Sequence, residues 1–434
     1  MTADSLRKLA ASLTLILVAT AFSRLAFAWR EMTKVSPPLL AAVAFQTEAG
    51  SIARSLAQGK GFSSPYERET GPTAILPPIY PLLVAGVFRL FGIASVLSFR
   101  VLFSLNVLFA TLTCIPVFFL GRRLGGGAGP IAAWLWALFP NGIILPFEWI
   151  WDTSLSALLL AALLWFTVRL GESPTARKWA AFGLLLGLAL MTNPSIGAAF
   201  PVLLCWAWRR KEPAGWRGPV LALAVAVACC IPWTVRNYLV FDRLIPLRSG
   251  FGFELYIGNN ENYAGSRATW PPKISFEREQ LRYIRMGEVP FMEEERSKAV
   301  AFMRTHPLVA LRLFGKRILD FWVGTAAPIE SLEAEESWPN RFLLICNLLV
   351  PLGVLAGLLA LVRHGHPLVL PLAAFPVLYP LVYYLTHTSL RYRHVIDPSV
   401  FLLVGAFLAG LGQLSRGSSV PAGPSSPGPG RRTP

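Results

Sequence analysis

Ten apolar stretches restrict this chain more than any other feature. They run at about 10–28, 99–120, 128–147, 153–170, 178–192, 194–208, 217–235, 341–362, 367–386 and 395–414. The hydrocarbon layer of a bilayer takes roughly 20 residues of helix to cross, so each stretch is expected to be a membrane span. Of 434 residues only 15% are charged and 54% are hydrophobic; soluble domains carry roughly 25% charged residues. A water-soluble globule is excluded. The expected fold is therefore an all-α polytopic membrane protein of about ten transmembrane helices.

Charge orients these helices. Arg7 and Lys8 precede the first apolar run, but Arg24 and the bulky "FAWREM" exit offer no small-residue cleavage site, so the run reads as a retained helix. The apolar part of Pro77–Gly92 is about 13 residues, the length of an interfacial element. With that segment on the surface, Arg122 and Arg123, the stretches 169–178 and 209–217, Arg363 and the tail share a side with Arg7 and Lys8. That side then holds 15 basic and 3 acidic residues, against 14 of each sign in 236–340. Short basic loops face the cytoplasm, which places both termini there and two large loops outside. The organisation is an N-terminal transmembrane module, 1–235, with a first extracytoplasmic loop at 29–98. An extracytoplasmic region, 236–340, is followed by C-terminal spans at 341–415 and a disordered cytoplasmic tail at 416–434. Within 236–340, apolar positions at helical spacing broken at Pro307 predict two amphipathic helices on the membrane face. No internal repeat of the inverted transporter kind is visible. The net charge of +16 is absorbed by orientation, and nucleic acid is not an expected partner.

Soluble-enzyme motifs are missing: there is no GxxxxGK[ST], HExxH, GxSxG or DxD. "GGGAG" at 125–129 reads as an interhelical turn. The five cysteines lie in apolar runs without CxxC spacing, so neither a zinc site nor a disulfide framework is expected, and the His364/His366 pair stands apart from every candidate acid. In the first loop Ala49, Ile52, Ala53 and Leu56 form one helical face that "GKGF" ends, with Glu48 in the opening turn. Glu48 is either a dipole-stabilised helix start or a partly desolvated base. In "FEWIWDT", Glu148 and Asp152 stand beside Trp149 and Trp151; Asp152 either caps the next helix or contacts a hydroxylated substrate, with a tryptophan stacked on a sugar. Arg236 and Asn237 sit where one span exits. Arg391, Tyr392, Arg393 and His394 sit before the last span, where arginines suit a phosphate or reach lipid headgroups. Asn259 and Asn260 in "GNNENYAG" form a turn or a sugar-binding loop, and His387 is on the same outer side.

Taken together, the first-loop acid, "GKGF", "TGPTAILPPIYPLL", "FRLFG", "PWTVRN", "GNN" and the Arg391–Tyr392–Arg393 run resemble the integral-membrane GT-C glycosyltransferases. The bacterial relatives of protein O-mannosyltransferases and aminoarabinose lipid A transferases are the nearest branch, and the likeness extends over about 14–414. The resemblance implies an inverting transferase of the plasma (inner) membrane. It moves a sugar from a polyprenyl-phosphate donor to an extracytoplasmic protein, lipid or glycan, with membrane lipids around it. It also implies Glu48 as base, preceded by Thr47 where relatives commonly have an Asp-Glu pair, with Glu67 and Glu69 as alternatives in the same loop. Trp151, Asp152, Arg236, Asn237, Asn259, Asn260, Arg391, Tyr392, Arg393 and His394 are the expected substrate contacts. No metal or other cofactor is expected, because DxD is missing, and polyprenyl phosphate, which departs as a stable anion, needs no general acid. The competing readings are a transporter or flippase of lipid-linked sugars and a non-catalytic glycan-binding scaffold. Ion-coupled carriers hold charges inside spans; here nearly all charges fall at span ends or in loops, with Arg24 the clearest exception, which favours the transferase.

Overall fold

The computed structural model describes residues 12–66, 68–148, 150–210, 215–261, 273–324 and 338–417. Its helices are α1 (Leu13–Lys34), α2 (Pro37–Ala44), α3 (Glu48–Ala57), α4 (Ile79–Phe91), α5 (Val96–Arg122), α6 (Ala128–Leu138), α7 (Pro140–Glu148), α8 (Thr153–Glu172), α9 (Ala176–Leu190), α10 (Phe200–Arg209), α11 (Arg217–Phe241) and α12 (Phe251–Gly258). They continue as α13 (Lys273–Met286), α14 (Glu288–Thr305), α15 (Pro307–Val323), α16 (Trp338–Arg363), α17 (Val369–Leu378), α18 (Leu381–Leu385) and α19 (Leu390–Gly417). A 3₁₀ turn, Pro194–Ala199, precedes α10.

The described residues include six helices, α1, α5, α8, α11, α16 and α19, long and apolar enough to cross a bilayer; α6 and α7, bent by 42° at their junction, make a seventh as a pair. The chain is a multi-pass membrane protein. The other three predicted spans are helical but short or broken. α9 has 15 residues, 194–208 is a 3₁₀ turn running into α10, and 367–386 is divided into α17 and α18. Prolines explain the divisions: Pro194 opens the turn and Pro380 stands between α17 and α18, each lacking an amide donor. α4 is a 13-residue helix, spanning only about 20 Å at the helical rise, as expected of a surface element. "GGGAG" is the expected turn, with positive φ at Gly125, Gly126 and Gly127.

α19 lies at the centre, packed by α5, α6, α8 and α16. Close approach depends on small residues: a Cβ on Gly357 of α16 would lie 2.1 Å from the Leu403 carbonyl oxygen of α19. α11 and α16 are peripheral and turn Leu223, Val227, Ile231, Leu352 and Leu355 outward, towards what would be lipid.

The intramembrane Arg24 is structural. Pro140 has no amide proton, so the Trp136 carbonyl loses its helical donor where α6 breaks. Arg24, fully buried, donates to the Trp136 carbonyl at 3.2 Å and to the Ala137 carbonyl at 3.0 Å. In a medium without water such carbonyls need a protein partner. The residue that most favoured a carrier is thus occupied in closing a helix break.

The predicted break at Pro307 separates α14 from α15, with the proline at the first position of α15, where its missing amide costs nothing. α15 exposes Leu308 (81%), Leu311 (67%) and Leu319 (60%) along one stripe, the pattern of an interfacial amphipathic helix.

Candidate active site

Glu48 owes its position to a local cap. The Thr47 hydroxyl accepts a hydrogen bond from the Gly50 amide at 3.0 Å, which starts α3. Gly50 is required sterically, since a Cβ there would lie 2.3 Å from the Phe45 carbonyl oxygen. With Ala49, Ile52 and Ala53 buried beneath it, α3 aims the Glu48 carboxylate into a cavity of about 630 Å³. Burial pushes the Glu48 pKa above the usual carboxylate range, while its backbone hydrogen bond and the nearby Arg391 and Arg248 charges act in the opposite direction.

The cavity opens among the starts of α4, α8 and α19, the 3₁₀ turn, α12 and the end of α18. Its wall is mostly apolar, with polar groups converging from distant segments, the usual form of a small-molecule site. Glu48, Trp151, Asp152, Arg391 and Tyr392, all predicted from sequence, line it together. Asp152 stands at the N-cap of α8 but makes no capping bond. Instead its Oδ2 accepts from the Ser156 hydroxyl (2.7 Å) and from the Asn193 amide (3.3 Å). The Arg391 guanidinium lies 3.7 Å over the Trp151 ring and 4.7 Å from the Tyr392 ring, and it donates to the Tyr392 hydroxyl at 2.8 Å. Among the described residues no carboxylate comes within ion-pair distance of it.

The structure places six of the expected contacts elsewhere. Arg236 donates to the Thr73 carbonyl (2.6 Å) and the Phe62 carbonyl (2.8 Å) and packs on Trp233, pinning the first loop to the end of α11. Asn237 is buried and donates to the Ile245 carbonyl. Asn259 donates to the Leu255 and Leu385 carbonyls, and Asn260 to those of Tyr256 and Ile257, so both finish α12. Arg393 donates to the Trp322 carbonyl and the Asn347 side chain, and approaches Asp397 at 3.3 Å. His394 stacks on Trp136 with ring centroids 5.0 Å apart. None of the six lines the cavity. At helix ends buried carbonyls need donors, and the five side chains other than His394 supply them. Glu69 is exposed and ion-paired with Lys60, away from the cavity. Glu67, Trp149, the Glu148 side chain and residues 262–265 of the "GNNENYAG" loop lie outside the described residues.

Sequence reasoning passed over several lining residues: Tyr66, Asn193, Ser195, Arg248, Glu254 and Tyr383. The available signal was a lone acid inside the otherwise apolar "FGFELYIG", and a polar "TNPS" joining two apolar runs. Glu254 accepts from Arg248 at 2.8 Å and lies 3.0 Å from His387 Nδ1. Burial works against its charge, yet His387 and Arg248 hold its pKa far below the usual range. Nearby, the buried Glu288 carboxylate accepts from the hydroxyls of Thr73, Tyr283 and Ser249 and from the Ala74 amide. It fastens the first loop to the second beside the cavity. No group of three or more His, Cys, Asp or Glu side chains suited to a metal occurs among the described residues.

Residues 76–235 match the family model of dolichyl-phosphate-mannose-protein mannosyltransferases. The likeness to GT-C membrane glycosyltransferases read in the sequence therefore holds over this stretch. It carries Tyr80, Trp151, Asp152, Asn193 and Ser195 of the cavity; Glu48, Arg248, Glu254, His387, Arg391 and Tyr392 lie outside it. Among solved structures, the chain is similar to the Archaeoglobus fulgidus oligosaccharyltransferase in the apo form: 12% identity, 94% of this chain and 51% of that one, TM-score 0.49. It is also similar to ArnT from Cupriavidus metallidurans bound to undecaprenyl phosphate: 15% identity, 96% of this chain and 79% of that one, TM-score 0.35. The chain thus spans about half the length of the oligosaccharyltransferase. Comparison with curated proteins finds no match.

Proposed function

We propose that this chain is a membrane glycosyltransferase that moves a sugar from a polyprenyl-phosphate donor to a hydroxyl acceptor at the extracytoplasmic face, with inversion at the anomeric carbon. One observation carries the reading: a single cavity joins a carboxylate of raised pKa, Glu48, to a guanidinium without a carboxylate partner among the described residues, Arg391. The first is the equipment of a general base and the second that of a phosphate ligand. The family match over residues 76–235 supports the same chemistry.

In this reading Glu48 takes the proton of the acceptor hydroxyl as its oxygen bonds to the anomeric carbon. The bond from that carbon to the phosphate oxygen breaks on the opposite face, and polyprenyl phosphate leaves with the electron pair. Arg391, held flat by Trp151, presents its N–H edge to the growing phosphate charge, where a fixed donor is most effective. Asp152, with Asn193, meets the sugar hydroxyls, and the apolar wall takes the first isoprene units. A phosphate leaving group needs no general acid, and no divalent metal is invoked; millimolar chelator should leave the rate unchanged.

The test is transfer by purified protein from a synthetic polyprenyl-phosphate sugar, followed by mass spectrometry of the acceptor fraction. Glu48→Gln should insert normally and lose transfer. Transfer at the wild-type rate by that variant rejects Glu48 as the base.

A further inference from the structure

His387 and Glu254 have no part in the chemistry above, yet they begin an unbroken chain of contacts that ends on Arg391. Glu254 Oε2 lies 3.0 Å from His387 Nδ1, and His387 Nε2 lies 2.9 Å from the Tyr392 hydroxyl oxygen. That same oxygen accepts from Arg391 at 2.8 Å. The Tyr392 ring cannot swing, being stacked on Tyr383 with centroids 4.3 Å apart and planes at 16°.

We infer that His387 and Glu254 are positioning residues that set the Arg391 guanidinium for the donor phosphate through Tyr392; the inference rests on the glycosyltransferase reading above. An arginine side chain held only by stacking keeps rotamer freedom along its stem and loses it on binding, a cost that prior hydrogen bonding removes. The Glu254 carboxylate lies beside Nδ1 and the Tyr392 oxygen beside Nε2, so the two ring nitrogens face different partners. The ring is then fixed with Nε2 towards Tyr392. Glu254 also pairs with Arg248, so Arg248 is charge-compensated and Arg391 is left as the cation turned to the ligand.

The backbone supports this geometry. α12 carries Glu254, and its last residue, Gly258, approaches the chain beside His387 so closely that a Cβ would overlap the Thr386 carbonyl oxygen, at 1.6 Å. Arg317 of α15 then donates to the Gly258 carbonyl (2.8 Å) and to the Tyr384 and Leu385 carbonyls (2.8 and 2.7 Å). One buried guanidinium thus clamps together the segments that bear Glu254 and His387.

The experiment is a double-mutant cycle on the full-length protein in detergent, with undecaprenyl phosphate as the probe and its affinity as the readout. His387→Leu should weaken binding up to roughly tenfold, the upper end of what one neutral hydrogen bond contributes. In an Arg391→Ala background the same change should add less than about twofold, because His387 acts only through Arg391. His387→Gln, whose amide can reach the Tyr392 oxygen, should regain most of the loss. An effect of the same size in both backgrounds overturns the positioning role, as does wild-type affinity in His387→Leu while Arg391→Ala binds weakly. If Arg391→Ala itself binds the probe like wild type, the phosphate reading of Arg391 fails and the inference with it.

Discussion

At Glu48 the raised pKa has two consequences that can be separated. The base form appears only above the ordinary carboxylate range, so the acid limb of the kcat/KM profile should lie at higher pH than for an exposed glutamate. Stability runs the opposite way. A carboxyl whose folded pKa exceeds its unfolded one supports the fold below the unfolded pKa and loses that support as pH rises. Glu48→Gln, which cannot ionise, should therefore keep or raise the thermal midpoint at neutral pH while transfer is lost; a lowered midpoint would show that the carboxylate is a structural anchor. Arg391 and Arg393, two residues apart, should separate just as cleanly. Arg391→Ala should cost about 1.5–3 kcal/mol of carrier affinity with little change in stability. Arg393→Ala strips a buried partner from Asp397 and Asn347 and should cost about 3–5 kcal/mol of stability, read by thermal unfolding in detergent.

Among the elements, the break between α6 and α7 and the junction of the first and second large loops carry most of the consequence. Arg24→Met removes the donor for the Trp136 carbonyl and leaves the Ala137 carbonyl only the Ser23 hydroxyl, without changing the bulk of the stem. The orphaned Trp136 carbonyl should cost about 1–3 kcal/mol, measurable as a lowered midpoint, and transfer in the surviving folded fraction should be normal. Normal stability in Arg24→Met would return Arg24 to the candidates for an ion pathway. Glu288 is the corresponding hub outside the spans. Glu288→Ala leaves the donors of Thr73, Ala74, Ser249 and Tyr283 unpaired. The segment between α3 and α4 should then become sensitive to trypsin and transfer should fall, although Glu288 does not line the cavity.

On the scale of the whole molecule, every cavity residue belongs to one end of the helical body. The starts of α8 and α19, the 3₁₀ turn after α9, and the loop after α11 meet there. The basic residues Arg169, Arg177, Lys178 and Arg217 fall at the other ends of α8, α9 and α11. Single cysteines at the exposed Gln46 and Ser389, in a background without the five native cysteines, should react with an impermeant thiol reagent from one side of sealed vesicles. Cysteines at the exposed Arg177 and Gly365 should react only from the other side. Labelling of Gln46 and Ser389 from opposite sides would remove the shared site altogether.

Hydropathy and loop charge are sums over neighbouring residues, so the sequence by itself determined the helical stretches, the α14–α15 break at Pro307, the α3 helix with Glu48 in its first turn, and the sidedness that groups Glu48 with Arg391. Assigning side chains of one type to different tasks needed the tertiary structure. Arg236 and Arg391 both stand at the rim of a span, and nothing within a few residues of either says that one meets backbone carbonyls and the other a cavity. That depends on where Thr73 and Phe62 come to rest, more than 160 residues from Arg236. Glu254 was hidden for the same reason: its partners Arg248 and His387 come together only when Gly258 meets Thr386. Burial and desolvation, which raise the pKa of Glu48 and lay Arg391 on Trp151, are properties of packed surroundings, and only the folded chain supplies them.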